Sequence, residues 1–235
     1  MSDQRNPWFG QQTWTHIFFA HWPMNKDKLQ TFIPYPFQLD TFNNIAWLTI
    51  VAFQANNSRF RYIPKRFAFP PFWQINIRTY IRFGNERGVY FLTLYSNDQR
   101  AARYGKWGGL PYLYAPLTIA KKNGNIVLTK SSQTYSSLVS HVDLSYSRTN
   151  QLPTNELNRW LTDRDTIYLI RHKKIIKSHI SHDPWKLYGV KGRAAIKGLA
   201  YPMVTQEANR PLLMTAQDQT AFLHPFQTIG YVSHI

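Results

Sequence analysis

Between Gln74 and Phe83 the chain changes character at every residue. Ile75, Ile77, Thr79, Ile81 and Phe83 fall on one side, and Gln74, Asn76, Arg78, Tyr80 and Arg82 on the other. A repeat of two is the repeat of an extended strand, whose successive side chains point to opposite faces; a helix would mix the two sets. Gly84-Asn85-Glu86-Arg87-Gly88 follows, with glycines available for positive φ, and Val89–Tyr95 supplies a β-branched and aromatic return arm. This hairpin predicts an antiparallel sheet with one apolar face and one face of amides, a guanidinium and a phenol.

The rest of the chain repeats the theme. Ala46–Phe53 reads as a buried strand, and Lys121-Lys122-Asn123-Gly124 as the tip of a second hairpin between Leu117–Ala120 and Ile126–Thr129. Further strands are expected near Gln133–Val139, Thr166–His172, Lys174–His179 and Gly230–Ser233. Helices are short. Asn25 can cap a turn that ends before Pro34, Asn97 can cap Asp98–Tyr104, and Thr154 can cap Asn155–Thr162. The expected fold class is mostly β, or α+β, built from antiparallel hairpins with a few short flanking helices.

Composition narrows the function. In 235 residues, 43% hydrophobic and 16% aromatic side chains suffice for a large core, and the longest polar stretch, Ser145–Asn150, is too short for a linker. We therefore expect a single domain, 1–235. The chain has no cysteine, which excludes disulfides and thiolate zinc sites. The polar start Met1–Pro7 lacks a signal-peptide pattern and no run approaches the ~20 apolar residues that span a bilayer, so a cytoplasmic protein without a membrane partner is expected. His179 and His182 are three apart, but Asp183-Pro184 disfavours the helix that would pair them on a metal; no metal and no cofactor is expected. No phosphate-binding glycine loop and no GxSxG elbow occurs. The formal charge is +16, with basic concentrations at Arg59–Arg66 and Arg171–Lys177. It fits a basic surface, or a binder of nucleic acid or another anionic polymer.

Several segments, in order, resemble a known family: Gln12-Thr13-Trp14, Phe19-Ala20-His21-Trp22-Pro23, Leu39-Asp40-Thr41-Phe42 before Trp47, Asn76–Tyr80, Gly88–Phe91, Leu110-Pro111-Tyr112 and His182-Asp183-Pro184-Trp185. The succession, from about Gln12 to Leu187, is similar to the YqjF-like family of uncharacterised bacterial proteins, a domain of unknown function in the acetoacetate decarboxylase-like superfamily. That resemblance implies a cone-like antiparallel β barrel around a small-molecule cavity. In the decarboxylase a Schiff-base lysine follows a proline at a strand start, after a glycine-rich approach. Here Gly105–Pro111 leads to Tyr112, which cannot form an imine. The decarboxylase glutamate on the preceding strand finds its nearest equivalent in Gln74, which can orient a substrate but cannot exchange a proton.

The leading expectation is a small-molecule-binding barrel or divergent enzyme acting on a small carboxylate or other anion. Arg78, Asn76, Gln74 and Tyr80 would line the cavity, with His21, Tyr112 and His182 nearby. A guanidinium at Arg78 would grip a carboxylate or phosphate by two parallel bonds. His21 could instead be a buried histidine satisfied by the backbone, and Asp40 a turn residue. The alternative is a basic nucleic-acid or anionic-polymer binder. Imine chemistry on Lys106 or Lys130 is a third reading, by position alone; Lys121 and Lys122 read as solvated hairpin-tip residues. A homo-oligomer is compatible with the sequence, and Gln206–Ile235 either closes the barrel or packs on another subunit.

Overall fold

The structure is a computed structural model that describes residues 7–122, 125–131, 141–197 and 210–232. In chain order its strands are β1 (Gly10–Met24), β2 (Gln38–Leu39), β3 (Ala46–Phe60), β4 (Phe72–Phe83), β5 (Glu86–Ser96), β6 (Tyr112–Tyr114), β7 (Leu117–Lys122) and β8 (Asn125–Ser131). β9 (His141–Gln151), β10 (Thr166–Arg171), β11 (Lys174–Ser181), β12 (Leu187–Lys197), β13 (Leu212–Ala216), β14 (Gln219–Leu223) and β15 (Gln227–Tyr231) complete the set. The helices are α1 (Lys26–Gln30), α2 (Gln99–Trp107) and α3 (Glu156–Thr162). The strand expected near Gln133–Val139 lies outside the described residues, as do Asn123 and Gly124.

The alternating segment forms β4, paired antiparallel with β5 from Gln74↔Ser96 to Phe83↔Glu86. The turn is tighter than the sequence suggests. Gly84 takes φ +60 and β5 resumes at Glu86. Gly88 belongs to the strand, where a Cβ would stand 2.7 Å from the Tyr168 ring. Its bareness serves a close approach, not the turn.

Among the described residues, seven strands close into a ring in the order β1-β3-β4-β5-β10-β11-β14, with β14 returning to β1. An odd ring cannot be antiparallel throughout, because each antiparallel step reverses direction and seven reversals do not close. Six pairings are antiparallel and one, β5 with β10, is parallel. The C-terminal segment thus closes the barrel through β14, whereas β13 starts a second layer. β1 makes this branch possible. Gly10–Trp14 pairs with β14 and Phe18–His21 with β13, and between them the register against β3 shifts and His16 takes φ +53. The second layer continues β13-β12-β9-β8-β7.

Both faces of the barrel wall are therefore dry. Phe19, Val51, Phe53, Phe91, Leu94 and Ile167 pack inside the ring. Phe18, Ile50, Ile75, Ile77, Leu128 and Leu144 pack between the ring and the second layer. Ile75, Ile77 and Ile81 are completely buried on that outer side, each contributing about 1.5–3 kcal/mol of apolar burial. The opposite side of β4, with Gln74, Asn76, Arg78 and Tyr80, faces the barrel interior.

Two caps lie one residue beyond the expected positions. Asp98, not Asn97, caps α2 by accepting from the Ala101 N–H at 2.8 Å, while Asn97 accepts from the Trp73 N–H at 2.7 Å. Asn155, not Thr154, caps α3 through the Asn158 N–H at 2.7 Å. Asn25 caps α1 as the sequence indicates.

Candidate functional site

The barrel interior holds a cavity of roughly 190 Å³. Its wall is mostly apolar, with Phe72, Phe91, Leu94, Ile167 and Ile180 among the lining residues. Three of the sequence-predicted residues line it: Gln74, Asn76 and Tyr112. Gln74 and Asn76 arrive by the period of β4. Tyr112 arrives by β6, which lies parallel to β5 with Leu94↔Tyr112 in register. Its ring sits over α2, where a Cβ on Gly105 would stand 2.1 Å from it. Only glycine lets the ring occupy that place.

Gln74 donates through Nε2 to the Tyr112 hydroxyl. Gln74 and Tyr112 thus present a neutral hydrogen-bonded pair to the cavity. Burial pushes the Tyr112 phenol up to about 12, the bond from Gln74 opposing the rise. Gln74 Oε1, Asn76 Oδ1 and Ser58 Oγ are buried without a hydrogen-bond partner, and all three residues line the cavity. A buried polar atom left unpaired costs about 1–3 kcal/mol, so three at one cavity mark a place that asks for a polar guest.

Among the described residues no lysine lines the cavity. Lys106 is exposed on α2. Lys130 is buried in the outer core, with its ammonium 4.2 Å from the centre of the Tyr95 ring, and burial draws its pKa down. Neither stands where the third reading needs an amine.

Buried His21 and Tyr80 and half-buried Arg78 form a separate group in the barrel. Arg78 is two residues beyond Asn76 on the same face of β4 and is not among the residues lining the cavity. His21 Nδ1 lies 2.8 Å from Thr49 Oγ1, which lies 2.7 Å from the Tyr80 hydroxyl; that hydroxyl donates to the Leu161 carbonyl at 2.7 Å. Desolvation first, and the Arg78 charge second, hold the His21 imidazole well below its ordinary range, so it is neutral. His21 Nε2 and Arg78 Nε have no hydrogen-bond partner. His182 is placed apart, its ring tilted against that of Trp185 (ring centres 4.5 Å apart, planes at 54°) with Nε2 3.6 Å from Asp165. The seven candidates therefore divide into a cavity trio, an interior trio and one edge residue.

Asp40 is not a turn residue. It is buried and pairs with buried Arg164 at 2.9 Å. Arg164 also donates to the Trp160 carbonyl at 2.8 Å and lies over the Trp160 ring, 4.5 Å from its centre. This pair ties the end of α3 to the barrel. Sequence reading missed Arg164, because nothing local marks it, and missed Ser178, whose signal was its inward period with Ile180 on β11; Ser58 reaches the cavity wall only because Asn57 takes φ +48 and the period of β3 shifts there. Among the described residues no cluster of His, Asp or Glu is arranged to hold a metal ion.

A closed seven-stranded barrel with a cavity inside defines an acetoacetate decarboxylase-like fold. Solved structures agree: acetoacetate decarboxylase from Legionella pneumophila superposes with TM-score 0.69 at 10% identity, covering 96% of this chain and 89% of that one. The enduracididine biosynthesis enzyme MppR complexed with pyruvate superposes with TM-score 0.68 at 12% identity, covering 97% and 92%. At such identity the likeness is one of fold. Uncharacterized protein YqjF of Bacillus subtilis is 29% identical over 226 residues, 94% of this chain and 92% of that protein. Residues 11–220 match DUF2071, described as an uncharacterized conserved protein, and the chain belongs to that family.

Proposed function

We propose that this protein binds a small organic molecule inside the barrel and, if it transforms it, does so without an imine. The observation that carries this reading is the Gln74–Tyr112 hydrogen bond in the cavity wall, beside the unpaired Gln74 Oε1, Asn76 Oδ1 and Ser58 Oγ. The polar end of the guest would meet these groups and its apolar remainder would lie against Phe72, Phe91 and Leu94. Turning the Gln74 amide over would let Tyr112 donate to Oε1 and present Nε2 to the guest, so the pair can serve an acceptor as well as a donor. The volume suits a guest not much larger than benzene, which fills an engineered cavity of about 150 Å³.

Within that class we favour a small carboxylate. Arg59 lines the cavity, bonded to Gln11 at 3.1 Å, and Arg78 lies two residues past the lining Asn76 on β4 with its Nε unpaired. Among the described residues no carboxylate lies within ion-pair distance of Arg78. The half-buried Arg78 guanidinium bonds the Tyr80 phenol and feels Asp165 at longer range, but with no carboxylate in direct contact it favours an anion nearby. Pyruvate, with which MppR is complexed, is of the size and charge in question.

Calorimetric titration with small 2-oxo acids, their amides and matched alcohols tests the proposal. Binding should favour the acids, and Tyr112→Phe and Gln74→Leu should each weaken it by about 2- to 12-fold, the worth of one hydrogen bond. Equal affinity for alcohols would remove the anionic assignment. Binding indifferent to both substitutions would remove the cavity.

A further inference from the structure

Two segments without an acidic residue meet at the open end of the cavity. Residues 57–71, joining β3 to β4, carry Arg59, Arg61, Lys65 and Arg66. Residues 99–111, comprising α2 and the turn after it, carry Arg100, Arg103 and Lys106. Aromatic contacts lock the segments together: Tyr104 meets Phe60 at 6.2 Å and Phe69 at 5.8 Å. All three rings line the cavity, and Phe60 and Tyr104 are 44% and 49% exposed, so the cavity reaches solvent here. Beside the opening, Tyr62, Trp107 and Phe67 are 87%, 78% and 64% exposed. Asp98, just before α2, pairs with Arg100 at 3.5 Å.

Large rings bared together around an opening mark a surface that meets something. Its chemistry is a cationic ring of side chains around aromatic and apolar tips, the pattern that seats proteins at the headgroup layer of an anionic bilayer. Phe67 and Ile63 have no polar atom to offer a hydrogen-bonding partner, which suits acyl chains better than an aqueous polyanion. The ring faces also argue against stacked bases, because the Arg61 guanidinium lies over Tyr62 at 5.7 Å and that of Arg66 over Phe67 at 4.9 Å. We propose that this face docks on the surface of an anionic lipid bilayer, with Trp107, Tyr62 and Phe67 in the headgroup layer, the cations on lipid phosphates and carboxylates, and the cavity mouth turned toward the membrane. The attachment is peripheral: among the described residues no helix is long and apolar enough to cross a membrane. It goes beyond the cavity reading and stands whatever molecule fills the barrel, so an empty ligand screen leaves it untouched.

Flotation of the full chain with phosphatidylcholine vesicles, with and without about 30% phosphatidylserine, tests it. The protein should float with the anionic vesicles at about 0.05 M salt, remain behind with the neutral ones, and dissociate as salt reaches about 0.5 M. The double variant Lys65→Glu, Arg66→Glu should bind at least tenfold more weakly, and Trp107→Ser and Phe67→Ser severalfold; these side chains are exposed, and circular dichroism checks that each variant is folded. Absence of flotation at low salt overturns the proposal. So does flotation that ignores Trp107→Ser and Phe67→Ser, which would reduce it to unspecific charge attraction. Tighter retention of a single-stranded oligonucleotide of about 20 bases than of the vesicles would assign the face to nucleic acid instead.

Discussion

Tyr112 owes its place to the missing side chain of Gly105, and this makes an indirect test of the site. In Gly105→Ala the new methyl would overlap the Tyr112 ring, forcing it off Gln74. We expect a loss of about 1–3 kcal/mol in urea denaturation from overpacking, together with weakened ligand binding. His21 gives a pH signature. Its imidazole is held neutral in the fold but protonates near 6.5 once unfolded, so the unfolded chain binds more protons below that pH. Stability should therefore be unaffected by this residue above about pH 6.5, and fall as the pH drops from there toward the depressed folded value, at up to about 1.4 kcal/mol per pH unit. His21→Gln should flatten that acid limb in melting curves recorded against pH. At this scale the sequence showed residue types better than positions. The alternation of β4 sent Gln74 and Asn76 inward together, but the same rule could not say that the cavity ends before Arg78. Nor could it say that Asp40 finds Arg164, 124 positions later in the chain; partnerships at such separation leave no local trace.

The short helices act as fittings on the barrel, and their caps are the places to loosen them. Asp98→Ala removes the acceptor for the Ala101 N–H and should cost about 1 kcal/mol. Because α2 carries Gly105 beneath Tyr112, the same substitution should lower ligand affinity without touching the cavity wall, which calorimetry on the variant would show. At the end of α3, Asp40→Ala strands the Arg164 guanidinium in a dry setting. A loss of about 3–5 kcal/mol is expected, larger than the pair itself contributes, since the remaining charge is uncompensated; equilibrium unfolding measures it. Cap positions were nearly legible. Asn97-Asp98 and Thr154-Asn155 each place two good capping residues side by side, and propensity cannot choose between them. The choice at α2 is made by Trp73, whose backbone N–H occupies Asn97. Strand positions were more legible than strand lengths: β3 runs on to Phe60, past the apolar stretch that announced it, because β1 continues to pair beside it.

For the molecule as a whole, closure depends on five residues near the C-terminus. β14 seals the gap between β1 and β11, so a chain ending at Gln217 would leave two strand edges open. Such a chain should lose its cooperative thermal transition and aggregate, as open edges do. Hairpins could be read from the sequence because their partners are neighbours. Closure could not, since β14 is short, weakly patterned and paired with the far end of the chain. The odd ring has one more consequence. Its single parallel joint cannot be made by a hairpin and demands a long excursion between β5 and β10. That excursion, residues 97–165, contains α2, Tyr112, much of the outer layer and α3. One flank of the chamber, from Ala101 to Tyr112, thus rides on a detour that geometry obliges the chain to make, while the strand-to-strand seams of the ring are built elsewhere. Relatives can rewrite the detour, changing what the chamber accepts, and leave the staves of the cask untouched.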